Sequence, residues 1–109
     1  MTVGELDKIL NGKESVISDG TVAVKSFYAG DFLSNVISRA GDAAAWFTVM
    51  NNVNVAGVAV LTEAAAIVLC EGFKPDAALL KRVQEQKLNL ILTDLPVYEA
   101  CISAGGKKK

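Results

Sequence analysis

The chain contains no histidine. That absence removes the commonest general acid–base side chain, the serine and cysteine triads in their usual form, and most catalytic zinc sites. No GxxxxGK(S/T) run is present, which excludes a P-loop kinase or NTPase, and no GxGxxG follows an apolar run. Cysteine is scarce. Cys70 and Cys101 lie far apart, each in an apolar run, and form no CxxC or metal-spaced set. They read as small buried hydrophobes rather than reactive thiols.

Charge of one sign is lacking too. Eleven Lys and Arg balance twelve Asp and Glu for a net charge of −1, so the electrostatic footprint of a nucleic-acid binder is missing. The one basic run, Lys107-Lys108-Lys109 after Gly105-Gly106, reads as a solvated tail, and residues 105–109 are expected to be flexible. The opening Met1-Thr2-Val3-Gly4-Glu5 has neither a basic n-region nor an apolar core, so a cytoplasmic location with both thiols reduced is expected. Between Val53 and Cys70 only Asn54, Thr62 and Glu63 are neither apolar nor glycine. A Glu near the middle of a spanning helix would cost about 2.5–3.5 kcal/mol. A helix followed by a buried strand fits better, and no membrane partner is expected.

What the chain does have is a beat of apolar strand, polar loop and helix, repeated between Ala44 and Ala104. The strand candidates lie near residues 45–50, 66–70 and 90–93, each a nearly continuous apolar run. Such runs, separated by helix-length connections, predict a parallel sheet covered on both faces. With 109 residues and 51% hydrophobic content, the expectation is one α/β domain over residues 1–104, a largely parallel sheet flanked by helices.

Local signals fill in the rest. Thr2-Val3-Gly4-Glu5 has capping-box spacing ahead of the face Val3, Leu6, Ile9 and Leu10, and Asn11-Gly12 ends that helix. Strands are expected over Ser15–Ser18 and Val22–Tyr28, split by the turn pair Asp19-Gly20. Asp31 suits the N-cap of a helix carrying Leu33, Val36, Ile37 and Ala40 and closed by Gly41. Asn51-Asn52 caps a helix from Val53 to Leu61 that has no polar face. The Pro75-Asp76 helix is ordinary and amphipathic, with Leu79, Leu80 and Val83 inward, and Pro96 opens the last helix.

A helix apolar all round must be buried all round. One side of the Val53–Leu61 helix covers the sheet, which leaves Val55, Val58 or Ala59 facing outward as the expected interface of a homodimer. The competing arrangement folds the opening helix, Val3 to Leu10, back over that strip. Polar groups at the strand ends supply candidate ligand-binding residues: Tyr28, Gly30, Asp31 and Ser34; Asn51 and Asn52; Glu71 and Gly72; Thr93 and Asp94. A pocket there would offer helix N-termini to an anion. The competing assignment has Asp31, Asn52, Asp76 and Asp94 merely capping their helices. No spacing signature marks Asp31, Glu71 and Asp94 as metal ligands, and no catalytic residue, metal or cofactor is expected.

The segments Tyr28-Ala29-Gly30-Asp31-Phe32-Leu33-Ser34-Asn35-Val36, Trp46-Phe47-Thr48-Val49, Cys70-Glu71-Gly72-Phe73-Lys74-Pro75 and Leu92-Thr93-Asp94 together resemble the DRTGG domain. With the opening helix, the resemblance covers nearly the whole chain. Similar domains form the N-terminal part of HPr kinase/phosphorylases and are inserted in CBS-domain inorganic pyrophosphatases. The resemblance implies an α/β fold, a regulatory or ligand-binding module, and no catalysis. The signature itself has diverged. Thr21 and Val22 stand where Asp and Arg would be, and Lys25, Ser26 and Phe27 replace Thr-Gly-Gly. Two functions follow as expectations. One is a non-catalytic domain that senses a small nucleotide-like or other anionic metabolite. The other is a homodimeric, structural or protein-binding module that has lost its ligand.

Overall fold

A computed structural model describes residues 1–106, so Lys107-Lys108-Lys109 lie outside the described residues. In chain order the elements are α1 (Val3–Ile9), β1 (Val16–Ile17), β2 (Ser26–Ala29), α2 (Leu33–Arg39), β3 (Ala44–Thr48), α3 (Asn54–Thr62), β4 (Ala66–Leu69), α4 (Ala77–Glu85), β5 (Asn89–Leu92) and α5 (Val97–Gly106). The sheet order is β1-β5-β4-β3-β2. All pairs from β2 to β5 are parallel, and only β1 runs antiparallel, with Val16 opposite Leu90 and Ile17 opposite Asn89.

The three apolar runs form β3, β4 and β5, and every residue in those strands is buried. Their side chains alternate between two cores, as the two-residue period of a strand requires. Ala45, Phe47, Ala66, Val68, Cys70 and Ile91 meet α1 and α5 through Val3, Leu6, Leu10, Ala100 and Ala104. Trp46, Ile67, Leu69, Leu90 and Leu92 meet α2, α3 and α4 through Val36, Val55, Ala56, Val58, Ala59, Leu79 and Val83. The molecule is therefore a helix–sheet–helix sandwich. Burying each large apolar side chain contributes about 1.5–3 kcal/mol.

Several expectations are revised. The Val22–Tyr28 strand contracts to Ser26–Ala29, because residues 22–24 pair with the start of the chain instead. The Val3 N–H donates to the Val22 carbonyl and the Val24 N–H to the Met1 carbonyl, both at 2.9 Å, around a single Thr2–Ala23 bridge. The Ser15–Ser18 strand is two residues long. Gly105 and Gly106, expected in the tail, complete the last turn of α5. The α1 capping box forms as its spacing predicts. Donors of Thr2 hold the Glu5 carboxyl below its ordinary value, so its contribution is intact above about pH 4.5 and fades as pH falls further.

The faces of α3 also differ from expectation. Val55, Val58 and Ala59 point into the core, whereas Val53, Val60 and Leu61 are exposed. A helix apolar all round carries no phase signal, so only packing decides which side turns inward. Nor does α1 cover the outer strip, since it packs on the opposite side of the sheet with α5.

Asn89 explains how the edge strand β1 is fixed. Its Oδ1 accepts from the Ser18 and Asp19 N–H groups at 2.8 and 3.0 Å. Its Nδ2 donates to the Asp19 and Ala65 carbonyls at 3.1 and 3.0 Å. All of this happens at a side chain that is buried, where an unpaired polar group costs about 1–3 kcal/mol. Asn89→Ala is expected to lose about 2–4 kcal/mol of stability and roughly 10–20 °C of melting temperature in scanning calorimetry. A loss below about 0.5 kcal/mol, the range of an ordinary surface change, would contradict the assignment.

Candidate functional site

Because β2 to β5 are parallel, the four loops that follow them emerge at one edge of the sheet. The antiparallel β1 adds a fifth segment there, since its entry loop meets the carboxyl end of β5. The Lys13 N–H donates to the Leu92 carbonyl at 2.9 Å, and the Lys13 ammonium lies 3.5 Å from the Asp94 carboxylate.

The candidate residues divide into two groups along this edge. Around β2 and β3 the side chains of Asp31, Trp46, Thr48, Asn51 and Asn52 bond to groups of the edge itself. Asp31 does not cap α2, whose N-cap is Phe32 with no side-chain bond. Its Oδ1 instead accepts from the Thr48 hydroxyl at 2.6 Å and the Val49 N–H at 3.0 Å, latching the β2–α2 loop to the end of β3. The Trp46 indole N–H donates to the Gly30 carbonyl at 2.8 Å, and the Tyr28 ring lies over Gly30. Ser34 is exposed on α2. Asn51 ties two loops together, its Nδ2 donating to the Lys74 carbonyl at 2.8 Å and its own carbonyl accepting from the Asp76 N–H. Asn52 accepts from the Asn54 N–H at 3.0 Å, a turn at the start of α3. Asp76 caps α4 through the Leu79 N–H.

Around β4 and β5 an open cavity of about 300 Å³ forms, lined by Lys13, Glu14, Gly72, Phe73, Lys74, Leu92, Thr93 and Asp94. Of the candidates, Gly72, Thr93 and Asp94 line it. Glu71 adjoins it in the chain, and Tyr28, Gly30, Asp31, Ser34, Asn51 and Asn52 lie outside its wall. The loop at its base takes a left-handed turn over two consecutive residues, Glu71 at φ 65° and Gly72 at φ 73°. Gly72 suits such a conformation, whereas for Glu71 it costs about 1–2 kcal/mol. The turn is held by the Glu71 N–H donating to the Leu95 carbonyl and the Gly72 N–H to the Thr93 carbonyl.

Thr93 shapes the wall but its hydroxyl is committed. It donates to the Leu10 carbonyl at 2.7 Å and accepts from the Leu95 N–H at 3.2 Å. The polar groups facing the opening are Lys13, Glu14, Lys74 and Asp94, all exposed. They form two loose ion pairs, Lys13–Asp94 at 3.5 Å and Lys74–Glu14 at 3.8 Å. Phe73 stands 48% exposed beside them. Lys13 and Glu14 carry no signal as part of a strand-end site, because they precede a strand. Only the antiparallel pairing of β1 brings them here. Among the described residues, no group of three or more Cys, Asp or Glu is placed to hold a metal ion.

The thiols are chemically quiet. Burial pushes Cys70 up to about 12, helped by the nearby Cys101, and burial raises Cys101 as well. At neutral pH both stay protonated, and the thiolate is the reactive form. Stability linked to Cys70 is intact below its ordinary value of 9.0 and declines as pH rises above it. Titration of native protein with a disulfide reagent at pH 8 is expected to label Cys70 at least tenfold more slowly than in urea-unfolded chain; equal rates would contradict the burial argument.

No family model matches the chain, and no curated protein matches it. Among solved structures it is similar to the CBS and DRTGG domains of the regulatory region of a Clostridium perfringens pyrophosphatase, a complex with the activator diadenosine tetraphosphate. The TM-score is 0.72 at 9% sequence identity, over 91% of this chain and 44% of that one. The chain thus spans less than half the length of that neighbour. At so low an identity the likeness concerns the backbone, and the fold of this chain is DRTGG-like.

Proposed function

We propose that this chain is a non-catalytic regulatory domain that binds a small, nucleotide-like anionic metabolite at the cavity between the α1–β1 loop, the β4–α4 loop and the end of β5. The observation that carries this reading is the pairing of two exposed lysines with an exposed aromatic ring around one opening. Phe73 offers a face for a base, and Lys13 and Lys74 offer charge to phosphates. Their present partners do not oppose this. An exposed ion pair is worth about 0.2–1 kcal/mol, whereas a hydrogen bond to a charged group is worth about 1.5–3 kcal/mol. A phosphate therefore displaces Glu14 or Asp94 at small cost. The regulatory character of the structural neighbour, with its nucleotide activator, supports the same class of function.

The Thr93 hydroxyl in the cavity wall is bonded at both ends, and Cys70, outside that wall, is buried. A second reading, an assembly module without a ligand, is favoured by the exposed apolar side chains on α2 and α3.

A panel of AMP, ATP, diadenosine tetraphosphate and inorganic tripolyphosphate, screened by thermal shift and then titrated by calorimetry, separates the two. At least one nucleotide is expected to bind. Lys13→Ala and Lys74→Ala are each expected to weaken that binding roughly tenfold or more, the equivalent of one charge-assisted contact. Phe73→Ala is expected to weaken nucleotides but leave tripolyphosphate unchanged. Absence of binding across the panel at millimolar ligand, with the protein folded, would leave the assembly reading standing and overturn the ligand reading.

A further inference from the structure

The charged cavity is not closed at its β1 end. Beside it lies a second cavity of about 330 Å³, and Glu14, Lys74 and Leu92 belong to the walls of both. The rest of the second wall is Val16 of β1, Pro75, and Leu80 and Gln84 of α4. The sheet order explains why this cleft exists. Helix α4 crosses from β4 to β5, whereas β1 lies beyond β5, so β1 extends past the helix and a gap remains between them. Val16 packs on the α4 side of the sheet yet stays half-buried, as does Leu80.

The two cavities differ in chemistry and follow an order. Phe73 and Lys13 line only the first, Lys74 lines both, and Val16, Pro75 and Leu80 line only the second. An aromatic ring, two ammonium groups and an apolar cleft therefore succeed one another along one groove. The exposed Lys74–Glu14 ion pair, at 3.8 Å, stands at the boundary. Glu14 sits there at φ 59°, a left-handed conformation uncommon outside glycine, and strain of this kind gathers at ligand clamps. Small-molecule sites usually span about 300–1,000 Å³ and are mostly apolar with a few polar groups. The first cavity, at about 300 Å³, is small for that range and mostly charged. Joined to the cleft, it lies well inside the range and gains an apolar wall.

We propose that the ligand is a nucleotide substituted on its terminal phosphate, a phosphate-bridged conjugate whose second end is an apolar or aromatic group held in the α4–β1 cleft. The inference rests on the nucleotide reading above and extends it to the other end of the ligand. With the base on Phe73, the phosphates pass Lys13 and reach Lys74, and Lys74 is where the cleft begins. A free terminal phosphate leaves Val16, Pro75 and Leu80 in water, whereas an ester at that phosphate covers them. Gln84, exposed on α4, offers the cleft an amide that both donates and accepts, which suits a heterocycle.

The γ-phenyl ester of ATP is a suitable probe, because it carries less negative charge than ATP and the lysines alone would bind it more weakly. Calorimetry with the full chain is expected to show the ester binding about tenfold more tightly than ATP, the effect of burying one small apolar group. Leu80→Ser is expected to remove that advantage, bringing the ester level with ATP or below it. In amide shift mapping of the wild type, the ester is expected to move Val16, Leu80 and Gln84, which ATP leaves nearly still. Equal or weaker binding of the ester, beside measurable binding of ATP, overturns the inference and spares the nucleotide reading. So does a tighter ester whose shifts miss the cleft. Binding of neither compound overturns both.

Discussion

The parallel ladder of β3, β4 and β5 has water on neither face, and the remainder of the molecule is arranged to keep it so. All residues of these three strands are buried, and a parallel sheet needs a helix-length crossover for each step. The crossovers α2, α3 and α4 cover one face. The other has to be covered by helices that are not crossovers, and α1 and α5, from opposite ends of the chain, do it. The chain's start is held against its middle by backbone bonds to residues 20–24, so docking of α1 depends on a segment that never becomes a strand. Buried Asn89 then closes the last edge by fixing the β1 turn.

The same constraint creates the site. Parallel strands deliver their loops to one edge, and no covering helix crosses that edge. Loop-to-loop bonds then decide what is open. Around β2 and β3 the latch of Asp31 to Thr48 and Val49, and the Asn51 tie to Lys74, bind neighbouring loops together. Around β4 and β5 the left-handed turn at Glu71-Gly72 turns the chain aside and leaves a cavity beside Lys13 and Lys74. The two ends of the edge thus differ in kind: one is bonded shut, the other is open and charged.

How far the sequence discloses this depends on the range of each interaction. The three apolar runs, the capping box at Thr2 and Glu5 and the cap at Asp76 are set by neighbours in the chain, and they are legible. The parallel sheet follows from run length and spacing. What the sequence does not disclose is set by distant partners. Asp31 looks like a cap but bonds to Thr48 across the sheet. Lys13 and Glu14 carry no sequence signal of a site, yet antiparallel pairing of a two-residue strand brings them there. The outward side of α3 could not be read either, since a uniformly apolar helix has no periodicity to phase. Val53, Gly57, Val60 and Leu61 therefore emerge only once the packing is known.

Assignment of the open end of the strand edge as the binding site is most directly tested by backbone amide shift mapping in solution while ATP is titrated into the isotope-labelled chain. The account predicts that the largest shifts fall at Lys13, Glu14, Gly72, Phe73, Lys74 and residues 92–94. Amides of Tyr28, Gly30, Asp31 and Asn52 should stay nearly still. Shifts centred on the β2–β3 loops or on the outer face of α3, or none at millimolar ATP, would contradict it.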